Sequence, residues 1–169
     1  MVYMEVKMRY NNIHNHPEYG NTMKLTRDLM NMKNWVQDIY EMHEKFGVHD
    51  WVDGKVASGD YDPLKEFLKF RLRFLQEELS EMGTAVDEKN PEEIVDALID
   101  LCVVAIGTLD AFGVDAHKAW DTVHNANMAK EPGVKESRPN PLGLPDLIKP
   151  EGWEGPDHDG NHGYIAHAL

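Results

Sequence analysis

The sequence is short of several residue types, and each shortage argues against a class of protein. It has a single cysteine, Cys102, which excludes an internal disulfide and suits a reducing compartment, so a cytoplasmic location is expected. Its 17 basic residues against 30 acidic ones give a net charge of -13, which argues against duplex nucleic acid as a partner because such binding needs clustered Lys and Arg. Residues 1–12 hold no long apolar segment, so neither a signal peptide nor a membrane span is predicted.

What the sequence does have is helical periodicity, with apolar residues spaced by three and four along much of its length. We predict a first helix over 23–46 that Gly47 terminates, and a loop over 48–61. A second, long helix begins at Asp62 as N-cap with Pro63 in the first turn. The apolar stripe of this helix is Leu64, Leu68, Leu72, Leu75, Leu79, Met82 and Val86.

Two further helices follow, each with a recognisable start. The third is capped by Asn90, continues through Pro91 and is predicted to end at Phe112; the fourth is capped by Asp115. Four helices with short connections predict an all-α antiparallel bundle. The domain organisation expected is an irregular arm over 1–22, a helical domain over 23–131 and an extended tail over 132–169, which is rich in Pro and Gly.

The third predicted helix is almost wholly apolar, as expected of a helix buried all round, and acidic residues interrupt it on one face. Asp96 and Asp100 are four residues apart and therefore one turn apart, with Glu93 on the turn before. Ionised carboxylates in an apolar interior need a cation, a basic partner or a proton. Glu93 also has a structural explanation, because acids are favoured near helix N-termini.

The second predicted helix carries Glu77, Glu78 and Glu81 beside its apolar stripe. Taken alone, these acids are typical of a solvated helix face. If the two helices pack antiparallel, however, Glu78 and Glu81 come level with the acids of the third helix. Several carboxylates with no nitrogen or sulfur ligand indicate a site for Mg²⁺ or Mn²⁺. Phosphate oxygens of the substrate usually complete the coordination shell of such an ion.

The segments QEELSE, over 76–81, and PEEIVDALIDL, over 91–101, resemble the EExxE and ExxD motifs of the all-α nucleoside triphosphate pyrophosphohydrolase superfamily, which includes MazG-like and phosphoribosyl-ATP pyrophosphohydrolase-like proteins. Further segments are similar to members of that superfamily: IYEMHEKFGV, DLCVVAIGTLDAFGVD, VHNANMAK and LIKPEGWEGPD. Together they cover most of residues 35–156. VHNANMAK resembles an SNMxK ending in which Ala126 replaces the serine.

The resemblance implies a dimeric or tetrameric bundle and a Mg-dependent hydrolase that converts a (deoxy)nucleoside triphosphate or a related nucleotide to the monophosphate and pyrophosphate. It implies metal ligands among Glu78, Glu81, Glu93, Asp96 and Asp100, where the acid pair aligns either as Glu93 with Asp96 or as Asp96 with Asp100. Glu77 or Glu78 is the candidate general base.

Phosphate oxygens also need polar and cationic donors, for which Arg71, Asn127 and Lys130 are the candidates; surface ion pairing is the alternative explanation of the two basic residues.

Two other functions stay open at this point. A di-iron carboxylate bundle also collects acids between helices, but it needs Glu-x-x-His on two helices, and only Asp121 with His124 approximates that spacing. A non-catalytic nucleotide-binding or metal-binding bundle is the second alternative. His158, His162 and His167 lie among several glycines, which favours a disordered tail over a zinc site.

Overall fold

The computed structural model describes residues 34–137 and 141–169. These residues form five α-helices: α1 (Trp35–Lys45), α2 (Val48–Ser58), α3 (Asp62–Glu88), α4 (Pro91–Ala111) and α5 (Ala116–Met128). A short antiparallel hairpin of β1 (Glu131–Gly133) and β2 (Asp146–Ile148) and a 3₁₀ helix (Gly163–Ala168) follow. The predicted all-α class is confirmed. The predicted arm, and residues 23–33 of the first predicted helix, lie outside the described residues.

Helices α3 and α4 form the central hairpin, and their junction follows the capping rules. Lys89 turns the chain with a left-handed φ of 57°, and the Asn90 side chain accepts hydrogen bonds from the backbone N–H groups of Glu92 and Glu93. Arg71 of α3 bonds to Val104 of α4, and both residues lie several turns from the junction, so the two helices run antiparallel. The predicted cap at Asn90 is therefore confirmed, whereas Asp62 is the first residue of α3 rather than its N-cap, which is Tyr61.

The predicted loop over 48–61 is wrong, because most of it is helix α2. Val48, Val52 and Val56 are spaced by four residues and face the core, where Val52 is only 1% exposed. Gly54 and the acidic residues between these valines hide the spacing in the sequence.

The core lies where α2, α3 and the end of α4 meet the C-terminal 3₁₀ helix. Its fully packed members are Val52, Leu64, Phe112 and Ala168. Partly buried residues surround them: Val48, Val56, Tyr61, Phe67, Leu68, Tyr164 and Ile165.

The end of the chain is therefore part of the fold, and the expectation of a disordered tail is wrong for its last residues. Asn161 is buried, with its side chain bonded to both the backbone N–H and the C=O of Asp115. The backbone N–H of Tyr164 donates to Phe112 O over 2.7 Å, and the ring of His167 stacks on Tyr61 at 4.4 Å between centroids. These bonds satisfy backbone groups of Phe112 and Asp115 at the α4–α5 corner, which composition alone does not reveal.

Helix α4 is not buried all round, contrary to the sequence prediction. Val95, Leu98 and Ile99 are 62, 46 and 45% exposed, so one apolar face of α4 has no cover within the described residues. Leu72, Leu79 and Val86 of the predicted α3 stripe are likewise more than half exposed. Their seven-residue spacing places them on one line of the helix.

Among the described residues no single helix is long and apolar enough to cross a membrane. Taken together, α4 and α5 have the length and apolar composition of a membrane span, but the two helices are bent by 119° relative to each other.

Candidate active site

The α3–α4 hairpin brings together carboxylates that are separate in the sequence. Glu78 and Glu81 lie one turn apart on α3, and Asp96 and Asp100 lie one turn apart on α4. Glu78 and Asp100 are partly buried, whereas Glu77, Glu81 and Asp96 are exposed. Because the helices run antiparallel, Glu78 faces the acidic turn of α4.

Glu78 is the electrostatic centre of this group. Partial burial raises the pKa of Glu78 above its ordinary value, and the negative charges of four neighbouring carboxylates raise it further. These four are Glu81, Asp100, Glu77 and Asp96. Within the described part of the chain, no salt bridge from Lys or Arg reaches any of the five. The group therefore carries concentrated negative charge that a divalent cation would neutralise.

Glu93 takes a different position from the other predicted ligands. It lies in the exposed first turn of α4, where Asn90 accepts its backbone N–H, and it is not among the four acids that act on Glu78. The geometry thus favours the pair Asp96 and Asp100 over Glu93 and Asp96, while the ligand set itself stays a prediction.

Arg71 makes well-defined contacts between the two helices. Its Nε donates to Thr108 Oγ1 over 3.0 Å, and its Nη2 donates to the Val104 carbonyl oxygen over 2.8 Å. Gly107 allows this approach, because a Cβ there would lie 2.7 Å from Nη2. Desolvation in this contact lowers the pKa of Arg71, which stays a cation. The surface ion pair considered from the sequence is therefore wrong for Arg71.

Asn127 and Lys130 lie at the end of α5 and contact each other. Lys130 Nζ donates to Asn127 Oδ1 over 2.8 Å and lies 5.1 Å from the ring centre of Trp153. The Trp153 indole N–H in turn donates to the carbonyl oxygen of Ala126, the residue that replaces the serine of the SNMxK-like ending. The tail thus holds this end of α5 in place.

A second polar cluster was missed by the sequence analysis. Asp110 Oδ2 lies 2.6 Å from His43 Nδ1 and 2.8 Å from His49 Nε2, so both imidazoles donate to one carboxylate oxygen. His49 Nδ1 also lies 3.3 Å from Glu44 Oε2. Asp110 interrupts the apolar run of α4 as Asp96 and Asp100 do, and this was the signal available in the sequence.

The two histidines of this cluster differ in charge. Burial lowers the pKa of His43, although the hydrogen bond with Asp110 acts in the opposite direction. Burial also acts to lower the pKa of His49, but the hydrogen bonds with Asp110 and Glu44 outweigh it and raise the pKa above its ordinary value. His43 is therefore neutral over a wider pH range than His49.

Comparison with known proteins gives a family match for the central part of the chain. A family model described as phosphoribosyl-ATP pyrophosphohydrolase matches residues 53–127, a range that contains all five clustered carboxylates. No curated protein matches the chain at a significant level. The family is divalent-metal dependent. The matched family belongs to the MazG-like all-α nucleoside triphosphate pyrophosphohydrolase superfamily, and phosphoribosyl-ATP pyrophosphohydrolases are hydrolases acting on phosphoric anhydrides.

Proposed function

We propose that the chain is a Mg²⁺-dependent pyrophosphohydrolase that cleaves a (deoxy)nucleoside triphosphate or a related nucleotide to the monophosphate and pyrophosphate. The observation that carries the proposal is Glu78, a partly buried carboxylate among four others with no basic partner in the described residues. A site of this charge favours a hard dication with oxygen ligands, and Mn²⁺ fits the same donors.

Glu78, Glu81, Asp96 and Asp100 are the proposed ligands, with Glu93 as an alternative from the first turn of α4. A divalent ion held by these carboxylates would supply a more acidic water molecule and offset the charge on the substrate phosphates. Glu77 or Glu78 accepts the proton from the attacking water as general base.

The substrate phosphates are proposed to contact Arg71, Asn127 and Lys130. Arg71 is seven residues from Glu78, about two helical turns, and its bonds to α4 use only part of its five N–H donors. Its contacts across the hairpin also support a positioning function, since they hold α3 in register with α4. The contact of Lys130 with Asn127 presents an ammonium and an amide at one end of α5.

Reaction class and substrate class are tested together by incubating the full chain with a panel of nucleoside triphosphates and Mg²⁺. Pyrophosphate release without orthophosphate is expected. Glu78→Gln and Asp100→Asn are expected to reduce it by at least ~100-fold with helical circular dichroism retained. Glu88→Gln, the same charge change at the exposed end of α3, is the matched control. Full turnover in Glu78→Gln would remove the basis of the proposal.

We further propose that the chain works as a homodimer or homotetramer in the cytoplasm. The support is the apolar surface on α3 and α4 that none of the described residues covers, because apolar faces of this kind mark protein contacts more often than free surface. Light scattering is expected to give a multiple of the 19.3 kDa chain mass. Val95→Glu should lower that mass, whereas Val134→Glu, at an exposed valine outside the helices, should not. A monomeric wild type would contradict the assembly.

A further inference from the structure

The cluster of His43, His49 and Asp110 joins three helical segments at one point. His43 comes from α1, His49 from the first turn of α2, and Asp110 from the last turn of α4. His43 is 4% exposed, and the Asp110 side chain is 11% exposed. One donor atom from each residue lies within 4.8 Å of the other two. Three metal-binding groups thus converge in a place with little access to water.

The donor set differs in chemistry from the carboxylates on the hairpin. Two imidazole nitrogens and one carboxylate oxygen suit ions of the zinc class, whereas Mg²⁺ prefers oxygen alone. Ligand atoms at ~2.0–2.1 Å from a tetrahedral zinc lie about 3.3 Å from each other. The pairs at 2.6 and 2.8 Å therefore need to open by about 0.5–0.7 Å when an ion replaces the protons of these hydrogen bonds.

The surroundings also resemble those of a metal site. Glu44 contacts the second ring nitrogen of His49, and such an outer carboxylate fixes the orientation of a ligating imidazole. Asp110 and Glu44 supply two negative charges, while Arg71 adds one positive charge near His43. The net charge around the imidazoles therefore favours a cation.

We propose that His43, His49 and Asp110 form a binding site for a divalent transition ion of the zinc class, separate from the carboxylate site. Asp110 is ten residues from Asp100 along α4, about 15 Å, so one ion cannot serve both sites. The ion ties α1 and α2 to the end of α4, next to Phe112 of the core. This inference does not depend on the hydrolase proposal.

The test uses Co²⁺ as a spectroscopic substitute for zinc in full-length protein first treated with chelator. The protein carries Glu78→Gln and Asp100→Asn, so that the carboxylate site does not compete. One equivalent of Co²⁺ should bind with the visible absorption of a tetrahedral centre, and Zn²⁺ should displace it. Adding His49→Gln or Asp110→Asn should abolish that absorption, and adding Glu44→Gln should weaken binding about 10-fold or more.

A second readout separates metal loss from misfolding. Zn²⁺ should raise the midpoint of thermal unfolding in the Glu78→Gln, Asp100→Asn protein and should not do so once His49→Gln is added. His117→Gln, at an exposed histidine on α5, is the matched control and should leave both signals intact. Absence of Co²⁺ absorption in the starting protein, or its persistence after His49→Gln, overturns the inference. Neither result bears on pyrophosphate release by the wild type.

Discussion

Replacing Gly163 with alanine is expected to detach the C-terminal 3₁₀ helix from the core. Gly163 has a φ of +49°, and a Cβ there would collide with the carbonyl oxygen of Phe112 and lie 2.8 Å from the carbonyl carbon of Gly113. Both neighbours are backbone atoms, so neither can move aside without disturbing the end of α4. Relief must come from moving the 3₁₀ helix.

The expected cost has three parts. A left-handed alanine costs about 1–2 kcal/mol. Loss of the hydrogen bond from Tyr164 N–H to Phe112 O adds about 1 kcal/mol, and exposure of the Ala168 methyl group adds about 0.8 kcal/mol. Tyr164 and Ile165 of the same helix also pack against the core and would lose contacts, so the free energy of unfolding is expected to fall by at least about 3 kcal/mol for Gly163→Ala.

Gly160→Ala is the matched control, because Gly160 has a similar φ of +66° and open space around its Cβ position. It should cost only the conformational part, about 1–2 kcal/mol. Urea unfolding followed by circular dichroism measures both variants. If the two lose the same free energy within about 0.5 kcal/mol, the tail does not pack on the α4–α5 corner as described.

Three further predictions concern the core, the α4–α5 corner and the acidic cluster. Phe112→Ala should lower the free energy of unfolding, measured by urea titration, by about 3–5 kcal/mol. Phe70→Ala, at a side chain that is 42% exposed, should lower it by much less, and equal losses would contradict the position of the core. Asn161→Ala should cost about 2–3 kcal/mol in the same assay, because two backbone groups of Asp115 lose their partner, and a loss under about 0.5 kcal/mol would be inconsistent with that bond pair. Because the pKa of Glu78 is raised, the folded chain binds more protons than the unfolded chain between the ordinary glutamate pKa and the raised pKa. In chelator, this residue should therefore make the free energy of unfolding fall as pH rises through that range. Glu78→Gln should flatten the fall, and an unchanged pH profile of stability would contradict the raised pKa.

Local sequence signals predicted the central hairpin well. Asn90 and Asp115 are recognisable caps because their side-chain acceptors precede apolar periods, and both accept the expected backbone N–H groups. The four-residue spacing of Asp96 and Asp100 placed them on one face, and the structure brings both near Glu78. Their function as ligands stays a prediction.

The parts that sequence analysis missed depend on distant contacts. His43 and Asp110 are 67 residues apart, and no local period indicates that their side chains meet. The helix α2 was missed because its three valines are diluted by polar residues and glycine. The almost wholly apolar sequence of α4 predicts a helix buried all round, although it fits equally well a helix with one open face, such as that of Val95 and Ile99.

The acidic cluster lies on two helices that are consecutive in the sequence, and this affects how the chain folds. All five carboxylates lie within residues 77–100, on two helices joined by Lys89 and Asn90. Contacts so close in sequence are expected to form early, so we expect these charges to approach each other before the distant parts of the core have closed around them. Their repulsion then opposes formation of the hairpin in the folding transition state, and a dication that bridges the helices should speed refolding more than it slows unfolding.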